Sequence, residues 1–207
     1  MSKRIQGTFL AFLLLVTGCS GKTLTDPTTK IDVEVVSDIT SDMIVIHAMN
    51  DEMDRGNLDF FDKDIVVEPR YYDKHPIKRG EIITYKGDWD EGIDGITRVI
   101  AFEGDNVKIS TAQFYINGKK LDTFYGRAHR LGKDLNQLKN ELEKGDFEAS
   151  HIEQNVENMV EYFQDISEEE ITVPEGFVYV TGDDWFRSGT MGVLPIENIT
   201  GKLIGYK

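Results

Sequence analysis

Asn117-Gly118 constrains this chain more than any other dipeptide in it. It stands between two short runs, in Gln113-Phe-Tyr-Ile-Asn117-Gly118-Lys-Lys-Leu121. Both residues tolerate positive φ, so a two-residue connection here folds two strands back on each other. That commits the region to antiparallel β structure. Other segments point the same way. Ile31 to Val35 alternates apolar and polar, the pattern of a half-buried strand. Met43–Ile46, Ile65–Val67, Ile82-Ile83, Val99-Ile100 and Phe177–Val180 are short β-rich runs bounded by Gly, Asp or Pro. Ile196 to Tyr206 adds one or two more strands. A chain of 207 residues built this way is expected to form one mainly β domain.

One stretch, 132–171, breaks the pattern. Leu135, Leu138 and Leu142 recur at helical spacing, and Gly145 supplies a stop. Ser150 with Glu153 has the form of a capping box. Ile152, Val156, Met159, Val160 and Phe163 then make the apolar stripe of a second helix. The segment carries twelve acidic residues and three lysines, a net of −9, out of −14 for the whole chain. It reads as an acidic two-helix insertion, either a solvated face or a docking surface for a basic partner.

The acidity limits the partners. A chain at −14 lacks the basic footprint that phosphate contacts need, so no nucleic-acid partner is expected. Anionic lipid headgroups should repel it as well. The N-terminus offers a different route to a membrane. Lys3 and Arg4 precede the eight-residue apolar run Phe9–Val16, which is too short to span a bilayer and is the size of a signal-peptide core. Val16-Thr17-Gly18-Cys19 follows, and Cys19 is the sole cysteine. The arrangement resembles a bacterial lipobox, in which the cysteine is acylated and becomes the mature N-terminus. Residues 1–18 are then a lipoprotein signal peptide, 19–30 a polar tether, and 31–207 the folded domain. Loss of Lys3 and Arg4 with the peptide leaves −16. A single cysteine rules out an internal disulfide and a zinc site of four cysteines or of two cysteines with two histidines.

Motifs for small-molecule chemistry are absent. The four histidines, His47, His75, His129 and His151, show no ligand spacing, and no metal or cofactor is expected. Asp88 to Asp94 looks faintly like a calcium loop but has Val99 where a bidentate Glu belongs. There is no phosphate-binding glycine loop, dinucleotide fingerprint or nucleophile elbow.

An ordered set of segments carries more. Arg79-Gly-Glu-Ile-Ile83 comes first, then Thr97-Arg-Val-Ile-Ala-Phe-Glu-Gly-Asp105. Phe114-Tyr-Ile-Asn-Gly-Lys119 follows, then Val173-Pro-Glu-Gly176, Gly182-Asp183-Asp184 and Gly192-Val-Leu-Pro195. In this order the segments resemble the bacterial type I signal peptidases, with their RGDIV, KRVIGLPGD, YVNGK, VPEG and GDN segments and G-x-VP step. The resemblance covers about residues 43–207 apart from the insertion. It implies an antiparallel coiled-sheet fold and a peptide-binding cleft on the outer face of the cytoplasmic membrane. It also implies a serine nucleophile with a lysine base held neutral in a dry pocket.

Both members of that dyad are replaced. The family lysine directly precedes the arginine matched by Arg98, and here that position is Thr97. The family serine opens an S-M-x-P-T segment. Matching its methionine to Met49 puts Ala48 at the nucleophile. Ser188 fits the serine that contacts the lysine, and Asp183 fits the conserved acidic position, but the family's later Asp-Ser-Arg is missing. The resemblance therefore implies an inactive homologue that binds an extended peptide, a preprotein segment or a protein partner such as an active signal peptidase. Two alternatives stay open at this point. One is an active peptidase with a shifted dyad, Ser37 or Ser41 with Lys78 or Lys108. The other is a scaffold lipoprotein that works through the acidic helices.

Overall fold

A computed structural model describes residues 22–49, 51–57, 60–87 and 94–207. The lipobox with Cys19 and the calcium-like loop lie outside the described residues, the latter except for the backbone of Asp94. The Asn117-Gly118 turn forms as its sequence requires. Both residues have positive φ, 52° and 72°, and Ile116 pairs with Lys119 across the turn. The strands it joins are the seventh and eighth of the chain.

In chain order the first strands are β1 (Thr23–Leu24), β2 (Ile44–Met49), β3 (Phe61–Pro69), β4 (Ile82–Lys86) and β5 (Asp94–Phe102). Next come β6 (Asn106–Ser110), β7 (Gln113–Ile116), β8 (Lys119–Leu121), β9 (His129–Arg130) and β10 (Lys133–Asp134). Helices α1 (Leu135–Lys144) and α2 (Ser150–Asp165) follow. The chain closes with β11 (Glu168–Thr172), β12 (Phe177–Thr181), β13 (Gly192–Pro195) and β14 (Ile199–Tyr206). A seven-stranded sheet has the order β13-β12-β5-β4-β14-β3-β2, and all its pairs are antiparallel. A five-stranded sheet has the order β1-β8-β7-β6-β11. The fold is mainly β, as expected.

Strand alternation sorts the core. On β12, Val178 and Val180 face one cluster with Ile83, Tyr85, Val99 and Leu194. Tyr179 between them faces the other side, where it joins Phe114, Trp185 and the helices. A strand buried on both faces needs the unbroken apolar run Phe177–Val180. Helix α2 closes this second cluster with Val156, Val160 and Phe163, and α1 with Leu138. A third cluster holds Ala48, Met53, Phe60, Ile65, Val67, Ile96 and Leu203 beneath β2, β3 and β14.

Several details differ from the sequence expectations. Ile31–Val35 is not a strand; Val35 makes one bridge to Tyr206 and is 76% exposed. The segment meets β14 only at its end, where two main-chain bonds join Glu34 and Val36 to Tyr206, too short a ladder to make a strand. The capping box does not form at Ser150, where Ala149 is the N-cap and no side chain caps the helix. It forms at α1 instead. Asp134 accepts from the Gln137 N–H, and the Gln137 side chain accepts from the Asp134 N–H. The two ends of the segment 132–171 are strand: β10 precedes α1, and β11 pairs with β6.

The stretch expected to tether the domain lies against it from Lys22 onward. β1 runs parallel to β8, with Thr23 opposite Lys120 and Leu24 opposite Leu121. Asp26 then anchors the chain. It accepts hydrogen bonds from the Thr28 and Thr29 N–H groups, from both their hydroxyls, and from the Tyr125 hydroxyl at 2.7 Å. Partial burial pushes its pKa up, but these donors outweigh it and hold the carboxyl well below the usual range. Gly80 makes room for the knot. It has φ +82°, and a Cβ there would lie 2.1 Å from Thr29 Oγ1 and 2.6 Å from Asp26 Oδ2.

An ion pair ties the seven-stranded sheet to the loop after β12. Arg98 on β5 donates to Asp183 through Nε at 2.6 Å and Nη2 at 2.5 Å, and through Nη1 to the Gly80 carbonyl at 2.6 Å. Both side chains are buried, and the guanidinium lies 5.0 Å from the Phe124 ring centroid. A bidentate pair fixes geometry in two directions at once.

Two outcomes follow for stability. Asp183→Asn leaves a buried guanidinium without its countercharge and should lower the unfolding free energy by about 3 kcal/mol, read by urea titration. Asp26→Asn should destabilise the protein near neutral pH. Because the folded-state pKa is depressed, that advantage is present above the unfolded value of about 4 and is lost as pH falls toward the folded one. The gap in melting temperature between wild type and Asp26→Asn should therefore shrink on going from pH 7 to pH 3.

Candidate peptide-binding cleft

The Arg98–Asp183 pair fixes what stands beside it. Thr97 immediately precedes Arg98 on β5 and pairs with Ile83 of β4. Its side chain is fully buried, and Oγ1 has no hydrogen-bond partner. By alternation Thr97 shares a face with Gly95, Ile83 and Tyr85, whereas Ile96 faces the other way. Gly95 lets the Tyr85 ring lie flat across β5, since a Cβ there would come within 2.4 Å of Tyr85 Cζ. The Tyr85 hydroxyl then hydrogen-bonds the Thr190 hydroxyl.

The loop after β12 brings Ser188 to this side. Ser188 Oγ accepts from the Gly182 N–H at 2.9 Å. Asp184, next to the ion pair, is fully buried and is held by Arg130 at 2.7 Å and by the N–H groups of Leu131, Phe186 and Arg187. Burial raises its pKa, against the lowering effect of Arg130 and the N–H donors. The loop is thus pinned at two successive carboxylates.

Ala48 does not sit with these residues. It lies within β2, opposite Lys63, with its side chain in the cluster that also holds Ile96. That is the face of β5 opposite Thr97. The segment just beyond β2 reaches the loop instead. The Glu52 carbonyl accepts from the Asp184 N–H at 2.8 Å. A Cβ on Gly182 would lie 2.6 Å from Glu52 O, 3.0 Å from Glu52 Cβ and 3.1 Å from Ser188 Oγ. A Cβ on Gly189 would lie 3.6 Å from Glu52 Oε1. The Tyr85 hydroxyl has a raised pKa, chiefly from burial, lowered in part by the Thr190 bond and raised further by the Glu52 charge. Glu52 and Ser188 therefore meet at Gly182, and Tyr85 and Thr190 meet on the face of β5 that Thr97 shares.

The sequence held a signal for Glu52. Met53 is fully buried, whereas Met49 is 62% exposed. Matching the second methionine shortens the spacer to Arg79 by four residues, and that spacer is too long when Met49 is used. Ser37, Ser41, Lys78 and Lys108 are all exposed, so none of these lysines occupies the dry pocket a neutral base needs.

Beside the cleft, β2 forms one edge of the seven-stranded sheet, with no strand on its outer side among the described residues. Ile44, Val45 and Met49 are exposed along it. No cluster of three or more metal-ligating side chains occurs among the described residues. Nor is any of their helices long and apolar enough to cross a membrane.

The chain is similar to known signal peptidases. The family model for signal peptidases of peptidase family S26 matches residues 39–205. A signal peptidase I of Bacillus caldolyticus is 27% identical over 159 residues, covering 75% of this chain and 72% of its own. A signal peptidase I of Rickettsia typhi is 26% identical over 155 residues, covering 70% of this chain and 57% of its own. A solved signal peptidase I from Enterococcus faecalis is similar over 62% of this chain and 97% of its own, with a TM-score of 0.40 and 23% identity. With the family model matching most of its length, from just before β2 to the penultimate residue of β14, the chain belongs to the S26 signal peptidase family.

Proposed function

We propose that this chain is a signal-peptidase homologue that binds extended peptide without cleaving it. Thr97 carries the reading. It directly precedes Arg98, which is held by the bidentate pair to Asp183, and the resemblance puts the family's base at the residue before that arginine. A threonine hydroxyl does not take a proton near neutral pH. Glu52, which precedes the buried Met53 and lies against Gly182 and Ser188, stands for the nucleophile. A carboxylate there offers no hydroxyl to acylate, and Thr97 offers no base to a water or a hydroxyl. Loss of either dyad member alone removes most of the rate of such a pair.

The supports of the cleft remain. Ser188 keeps its bond to Gly182, and Arg98 keeps Asp183. The free edge of β2 offers main-chain donors and acceptors to an extended segment, and its exposed apolar residues offer contacts for alternate side chains. Acylation of Cys19 holds the domain on the outer face of the cytoplasmic membrane. Two or more acyl chains at ~0.8 kcal/mol per buried CH₂ overcome the repulsion that so acidic a chain meets there.

The purified wild-type chain should leave a signal-peptide-bearing substrate intact. Glu52→Ser with Thr97→Lys should gain slow cleavage, at least about tenfold over the wild-type background, and neither change alone should do so. Cleavage by the wild type overturns the reading. Separately, Cys19→Ser should move the protein from the membrane to the soluble fraction on cell fractionation; retention in the membrane removes the lipid anchor from the account.

A further inference from the structure

The lipid-bearing end and the fold meet within a few residues. Lys22 is three positions after Cys19, and a chain advances at most about 3.6 Å per residue, so Lys22 stays within roughly 11 Å of that cysteine. Lys22 is already bound to the domain. Its carbonyl accepts from the Lys120 N–H at 3.1 Å, and Thr23 and Leu24 pair with β8. The Asp26 knot then ties the chain to the hydroxyl of Tyr125, whose ring is buried in the cluster beneath the helices. The β1–β8 edge of the five-stranded sheet is therefore held close to the anchor.

Charge is divided between the two faces of that sheet. On β7, Phe114 and Ile116 are buried in the cluster that α2 closes with Val156, Val160 and Phe163. Tyr115 points the other way by strand alternation. Lys108 of β6 and Lys120 of β8 both stand in register with Tyr115, and Thr23 of β1 with Lys120, so all four share the open face. The acidic helices thus cover one face, and these lysines lie on the other. At the β11 edge Glu169 and Glu170 share a pocket with Lys108 and offset its charge. At the β1–β8 edge Lys22, Lys119 and Lys120 stand against Asp122. Neither the Lys22 nor the Lys119 side chain has a hydrogen-bond or ion-pair partner among the described residues, and Lys120 has only Asp122, at 3.8 Å.

We propose that the β1–β8 edge is a membrane-facing surface, with Lys22, Lys119 and Lys120 against the phosphate groups of anionic lipids and the acidic helices held away from them. The inference rests on the lipid-anchor reading above and goes beyond it: the lipid sets where the domain is held, and the lysines set which side it turns to the bilayer. The short connection brings the ammonium groups within roughly a Debye length of the headgroups, where an anionic surface attracts them. The acidic groups of α1 and α2 lie across the sheet, and at that distance salt screens their repulsion.

The test uses the full acylated chain in lipid vesicles. The mature cysteine is blocked by its lipid, so a fluorophore on an introduced thiol is the only label. Tyr115→Cys places it on the open face and Glu161→Cys on the exposed side of α2, and energy transfer to acceptors on lipid headgroups reports how close each lies. The two positions are separated by a sheet and a helix, about 20 Å, so in vesicles containing phosphatidylglycerol transfer from position 115 should be at least about twofold larger than from position 161. Replacing phosphatidylglycerol with phosphatidylcholine, or raising salt to about 1 M, should remove most of that difference. Combining Lys22→Gln, Lys119→Gln and Lys120→Gln should do the same with phosphatidylglycerol present. Equal transfer from the two positions, or larger transfer from the helix, overturns the inference. So does a difference that neither salt nor headgroup charge changes, since the short connection alone then orients the domain. A chain that does not float with the vesicles removes the lipid anchor itself, and this inference with it. The salt and lipid comparisons use unaltered lysines, so they decide the matter even if the triple variant fails to fold.

Discussion

The contact on which the rest of the site depends is the buried pair between Arg98 and Asp183. It joins the middle of β5 to the loop after β12, and through Gly80 it also fixes the turn that leads into β4. Burying two charges is costly, and a well-packed apolar pair is often as stable. What the pair adds is register. With Arg98 held, Thr97 can point only to the Tyr85 face, and with Asp183 held, Gly182 and Ser188 can approach Glu52 only from one side. The glycines follow from the same constraint. Gly182 leaves no room for a Cβ beside the Glu52 backbone, and Gly80 leaves none beside Asp26.

The same contacts hold the family scaffold whatever stands at the base and nucleophile positions. The residues that hold the cleft in shape are tied to each other by ion pairs and hydrogen bonds, whereas Thr97 is buried with no hydrogen bond to its side chain. Thr97 retains a β-branched side chain suited to a strand, and Glu52 keeps its backbone bond to Asp184 whatever its side chain is. The dyad can change while the scaffold stays.

The parts of this that were legible in the sequence are those with local physical causes. Asn117-Gly118 determines its turn by the φ values it tolerates, Gly145 ends α1 in the left-handed region, and the stripe of Val156, Val160 and Phe163 places α2 on the core. Thr97 was legible because Arg98 is adjacent to it. Glu52 was less so, since two methionines four residues apart, Met49 and Met53, both offer a match and only the structure shows that Met53 is the buried one. The path of residues 22–36 was not legible either. Its polar side chains satisfy one another around Asp26, and its main chain pairs with Lys120, Leu121 and Tyr206, far along the chain. Composition sees such a stretch as a linker because none of its partners is local.

Hydrogen–deuterium exchange read by mass spectrometry tests the central claim most directly, because one experiment reports both where a peptide lies and whether it survives. With the full chain and an excess of a signal-peptide-derived peptide, protection should rise along Ile44–Met49, around Glu52 and Met53, and from Gly182 to Thr190, and the peptide should be recovered at full mass. A shortened peptide, or protection confined to the helices 135–165, would contradict the account.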